Sequence, residues 1–141
     1  MQTQLWTVSG WLATAAQRCL DCLTMKRLLP LLIDIVCVIV FAAAGRASHG
    51  ESVLGTFVTA WPFLVACAVA WIVLAMSSLE SRGLRAGVIV WVVTLIGGMA
   101  LRIAAGDTAE PAFIVVATLF LAMVLLGWRL IALLVQRRKA S

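Results

Sequence analysis

The chain has 141 residues, of which 64% are hydrophobic and only 12% charged. A water-soluble domain of this size needs more polar surface, so lipid is the expected solvent and a soluble domain is excluded. The formal net charge of +5 points first to nucleic acid, but the cations gather on one side of a membrane rather than along one stripe, which argues against a polynucleotide partner.

Residues 1–27 come before the first long apolar run. Leu5, Val8, Leu12, Ala15, Cys19 and Leu23 recur every three or four positions, while Gln4, Ser9, Thr14, Gln17, Arg18 and Asp21 lie away from that stripe. The pattern predicts an amphipathic helix on the inner membrane surface, with Trp6 and Trp11 near the headgroups. The alternative is a loosely ordered extension. Cys19 and Cys22 have C-x-x-C spacing but no second pair and no βαβ context, so neither a metal nor a redox centre is expected. Cys37 and Cys67 read as small packing residues.

Residues 28–45 form the first predicted span, interrupted by Asp34. A cleaved signal peptide is its rival, because Ala42–Ala44 and Gly45 are small. The long preceding region and the buried-type acid argue against cleavage. Three further spans follow at 56–79, 86–105 and 111–135, each near the roughly 20 residues a bilayer requires. Residues 136–141 are a basic tail suited to anionic headgroups. Backbone amides in lipid need internal partners, and four such segments are too few for a barrel. Short connections make neighbours antiparallel. The expected fold is therefore all-α: a polytopic four-helix bundle in one transmembrane domain, 28–135.

Orientation follows from the cations. Arg18, Lys26, Arg27, Arg82, Arg85, Arg129, Arg137, Arg138 and Lys139 fall on one side, and Arg46 and Arg102 toward the other. This bias puts both termini in the cytoplasm. Thr59-Ala60-Trp61-Pro62 and Thr108-Ala109-Glu110-Pro111 suggest two parallel hairpin repeats, each with proline in a first helical turn and a threonine or Asp107 as cap.

Asp34 lies six residues into span one, about 9 Å from the inner boundary, and Arg129 lies six residues from the inner end of span four. Equal depth predicts an ion pair, either a structural lock or a proton or cation site. Trp91, Gly98 and Arg102 share one face of span three, flanked by Thr94, and read as packing or pocket residues. Arg46, Ser48, His49, Trp61 and Arg102 form an outer-rim cluster: interface anchors, or the wall of a pocket for an anionic lipid or small anion. Glu51, Asp107 and Glu110 share that rim and can satisfy the arginines themselves.

Asp34, the GRxSH stretch at Gly45, Arg46, Ser48 and His49, the TAWPF stretch at 59–63, Trp91, Thr94, GMxLR at 98–102 and GWR at 127–129 together carry a resemblance. The chain resembles a family of small prokaryotic four-helix membrane proteins catalogued as a domain of unknown function, over residues 32–129. The resemblance implies the architecture and brings no activity.

Motifs for hydrolysis or metal chemistry, such as H-E-x-x-H and G-x-S-x-G, do not occur in the sequence. The expectation is a non-enzymatic plasma-membrane protein without cofactor or metal, binding or transporting a small solute or ion, as a homo-oligomer in lipid. The alternative is a non-catalytic subunit or assembly factor of a larger complex.

Overall fold

The computed structural model describes the backbone of residues 2–47 and 53–141 and the side chains of 25–47 and 54–141. Four helices follow one another: α1 (Gln2–Ala47), α2 (Val53–Met76), α3 (Leu84–Ala104) and α4 (Pro111–Ala140). No strand occurs among the described residues. Each helix carries a segment long and apolar enough to cross a membrane: Met25–Ala47, Leu54–Met76, Leu84–Ala104 and Pro111–Ala140. The fold is that of an all-α, multi-pass membrane protein.

α1 is one helix of 46 residues, about twice the length a bilayer core requires. The helix expected for residues 1–27 is thus continuous with span one, with no break near Arg27. The side chains of its apolar stripe and of the C-x-x-C pair lie outside the described residues. Pro30 is buried inside α1. Proline has no N–H, so the Lys26 carbonyl one turn earlier loses its helical donor. The Ser81 hydroxyl donates to that carbonyl at 3.5 Å, which ties the α2–α3 loop to α1.

The two prolines singled out in the sequence occupy different places. Pro111 starts α4, with Glu110 as N-cap and no side-chain capping bond, so neither Thr108 nor Asp107 is the cap. Pro62 lies inside α2, which already runs from Val53. Thr59 is therefore no cap: its hydroxyl donates to the Gly55 carbonyl at 3.1 Å, one turn back. The helix-start argument for a hairpin repeat does not hold for α2.

α2 ends at Met76, three residues short of the predicted span. There the Ser77 hydroxyl donates to the Leu74 carbonyl at 2.8 Å. Such bonds compete with helix continuation. α3 ends in a Schellman turn: Gly106 has φ 90, its N–H donates to Ile103 O (3.1 Å), and Asp107 N–H donates to Arg102 O (3.0 Å). Glycine is the residue that takes this left-handed position without strain.

The helices form a ring. α1 packs on α2 and α4, and α3 packs on α2 and α4. The α2–α3 contact is the most extensive and the α1–α4 contact the sparsest. Small residues set these distances. A Cβ on Gly98 would collide with the Phe63 ring, and one on Gly97 would lie 2.9 Å from Ala66 Cβ. Close approach of this kind supplies the van der Waals contact that holds helices together in lipid. Val38, Phe63, Cys67, Val90, Leu121 and Leu125 fill the interior at 0% exposure. Large side chains such as Ile72, Ile96, Leu119 and Ile131 point outward, where lipid covers them.

Candidate functional site

Polar groups inside the bundle gather at two levels. At the inner level, α1 contributes Asp34 and α4 contributes Arg129, both 0% exposed. The guanidinium meets the carboxylate edge-on. Arg129 Nη1 donates to Asp34 Oδ1 and Nη2 to Oδ2, each at 2.8 Å. The remaining carboxylate sites are taken by indoles: Trp128 Nε1 donates to Oδ1 at 2.9 Å and Trp71 Nε1 to Oδ2 at 3.0 Å. An ionised carboxylate offers about four acceptor sites, and all four are used.

Arg129 is equally satisfied. Nη1 also donates to the Leu125 carbonyl at 2.9 Å, while Nε and Nη2 donate to the Ser81 carbonyl at 3.4 and 3.3 Å. Its guanidinium stacks 4.5 Å from the Trp128 ring. Room for the side chain comes from α3, where a Cβ on Gly87 would lie 2.7 Å from Arg129 Cδ. One network thus joins α1, α2, α4 and the α2–α3 loop.

The sequence reading paired Asp34 with Arg129 by depth and missed Trp71, Trp128 and Ser81. A signal was present: Trp71 lies five residues before the end of α2, near the depth of Asp34, and a buried indole N–H needs an acceptor.

At the outer level, a cavity of about 530 Å³ opens between the helix ends. Arg46 and Arg102 line it, with Thr59, Glu110, Phe113 and Val116 among the other walls. Arg46 Nε donates to Thr59 Oγ1 at 2.9 Å. Arg102 lies 4.4 Å from the Phe113 ring centroid and 3.7 Å from Asp107, which the Schellman turn carries back over it. Arg102 Nε is buried without a hydrogen-bond partner among the described residues. Beneath the cavity, Phe41 packs edge-on against Phe63 at 5.2 Å and tilted against Phe113 and Phe120 at 6.2 and 5.8 Å. Phe41 and Phe113 belong to the cavity lining, and Phe63 and Phe120 continue the ring cluster from Phe41 into the bundle.

The other rim and packing residues divide. Trp61 is 42% exposed and does not line the cavity. Thr59 faces the cavity, and two helical residues turn the chain by about 200°, which points Trp61 away. Ser48, His49 and Glu51 lie outside the described residues. Trp91 Nε1 donates to the Thr118 carbonyl at 3.2 Å, pinning α3 to α4. Gly98 accommodates Phe63 rather than a space beside Arg102. Thr94 is fully buried and faces the Cys67 thiol. Of the other cavity residues, the sequence reading took Thr59 for a helix cap and did not select Phe113. They lie on the inward faces of helices whose rotation only packing reveals.

None of the curated proteins and none of the solved structures compared matches the chain. A family model described as "Protein of unknown function (DUF3054)" matches residues 31–132, the stretch that holds Asp34, Arg129 and the whole outer cavity. The chain belongs to the DUF3054 family.

Proposed function

We propose that this protein binds a small anionic ligand at the outer end of its bundle and does not transform it. The observation that carries this reading is the cavity of about 530 Å³ with Arg46 and Arg102 in its wall. Its volume falls in the range of small-molecule sites. Arg102 supplies a fixed cation whose Nε has no protein acceptor among the described residues. An anion between the arginines takes charge-assisted hydrogen bonds, which are roughly twice as strong as neutral ones. The first turn of α4 lines the same cavity, and its amides add positive potential.

In this reading the inner network is a lock rather than a proton or cation site. Asp34 has no acceptor position left for an ion. Binding is therefore supported better than conduction through one chain, and a route for transport would have to lie between copies or open through the phenylalanine cluster. In the same reading the membrane is the plasma membrane and both termini are cytoplasmic; the cations of the flanking segments support that orientation.

The test uses the full chain in detergent. Binding of a water-soluble phosphate monoester and of its parent alcohol is measured by calorimetry at low and high salt. The ester should bind and the alcohol should not. Arg46→Gln or Arg102→Gln should each weaken binding by about tenfold, the effect of one charge-assisted bond, and added salt should weaken it further. Ester binding that is unchanged in both variants, or equal to that of the alcohol, would exclude an anion site.

A further inference from the structure

We infer that the natural ligand is a membrane amphiphile, an anionic phosphate headgroup on an acyl chain, that enters the cavity sideways between α1 and α4. The inference rests on the anion-binding reading above and adds the ligand's tail and its route.

The cavity wall changes chemistry with depth. Arg46, Arg102, Glu110 and Thr59 stand at the rim. Below them Ala42 and Val116 continue the wall. Val116 lies five residues beyond Pro111, about 7–8 Å deeper at helical rise, and Ala42 about 6 Å below Arg46. That depth is hydrocarbon in a membrane of ordinary thickness. A soluble anion would use the rim and leave the lower wall without a partner. An amphiphile uses both.

The side of the cavity is open where the helices touch least. α1 and α4 share the sparsest contact of the ring, and their facing edges carry Gly45 and Ala112, both cavity-lining. A Cβ added at Gly45 would meet nothing within 4 Å. Gly45, Ala112 and Val116 are exposed, Val116 at 56%. At this depth an exposed atom faces acyl chains, so the opening leads into the bilayer. Both lining arginines stand at the rim, where they favour an anionic headgroup over a neutral one.

Photolabelling of the full chain in phosphatidylcholine vesicles tests this. One probe is a phosphatidylglycerol with a diazirine in its acyl chain, and the other is a diacylglycerol with the same chain. Labelled positions are mapped by peptide sequencing. The phosphate probe should label residues 42–45 and 112–116 about fivefold more than the lipid-facing Leu119 and Met123, and the neutral probe should show no such preference. Arg102→Gln should remove most of the preference, as loss of a single charge contact predicts. Val116→Trp, which puts a bulky ring in the lower wall, should abolish the cleft preference of the phosphate probe. Uniform labelling of α4 by both probes would mean ordinary annular lipid and would overturn the inference. If the soluble ester binds with arginine dependence while cleft labelling is absent, the amphiphile is wrong and the anion site stands. If neither is seen, both fall.

Discussion

At the scale of single residues, the two cavity arginines and the buried pair illustrate opposite uses of charge. Arg129 and Asp34 spend every donor and acceptor on protein partners, so the pair is rigid and leaves nothing for a ligand. Removing one member strands the other in a low-dielectric interior, which typically costs about 3–5 kcal/mol. Asp34→Asn and Arg129→Gln should each destabilise the bundle by about that much in a denaturing-detergent titration, and the double variant should recover part of the loss. Additive losses in the double-mutant cycle would show that the pair is not coupled. Trp71→Phe removes one donor and leaves one carboxylate site empty, at a cost of about 1–3 kcal/mol. Asp34 and Arg129 were legible in the sequence because a charge inside an apolar run has few roles. Trp71 and Trp128 were not, because tryptophan near a helix end is ordinarily an interface residue, and only packing shows that both indoles turn inward.

At the scale of helices, the spans could be read from hydropathy but their ends and rotations could not. The proline pair shows why. Thr-Ala-x-Pro opens α4 but falls inside α2, because the apolar residues before Thr59 extend that helix outward to Val53. No local signal in the tetrapeptide distinguishes the two settings. Rotation depends on which small residue meets which large one, and that is a property of two helices together. Gly98 and Phe63 make the case testable. Gly98→Val puts carbon where the Phe63 ring lies, so it should destabilise by about 1–3 kcal/mol through overpacking. Phe63→Leu in the same chain should restore part of the loss. Thermal unfolding in detergent reads both, and a neutral Gly98→Val would refute the tight α2–α3 contact. Gly106→Ala forces a Cβ into a left-handed turn, at about 1–2 kcal/mol. It should also loosen Asp107 from Arg102, so phosphate-ester binding should tighten while stability falls.

At the scale of the whole molecule, the described residues tie the inner end together and leave a cavity at the outer end. The inner end has Asp34, Arg129 and the Ser81 loop bonds, and the outer end has the cavity. Which compartment each end faces decides where a ligand is met. Arg82, Arg85, Arg137, Arg138 and Lys139 flank the closed end, and only Arg46 and Arg102 flank the open one. Lysine and arginine in short flanking segments resist translocation, so the cation-rich end should stay in the cytoplasm. Arg46 and Arg102 do not offset this, since both sit in the cavity wall at a helix end rather than in a free loop. The open end should therefore face away from the cytoplasm, and its ligand should come from the outer leaflet or the outer compartment. Reporter fusions decide the matter: a reporter active only in the cytoplasm should be active after Ser141 and inactive when inserted after Asp107. Cysteine labelling supplies an independent reading. In a chain with its four native cysteines replaced by serine, a membrane-impermeant thiol reagent added to intact cells should label Thr108→Cys and spare Ser78→Cys. Active fusions at Asp107 together with labelling at position 78 would reverse the topology and place the arginine cavity on the cytoplasmic side, where its ligand would have to be an inner-leaflet lipid.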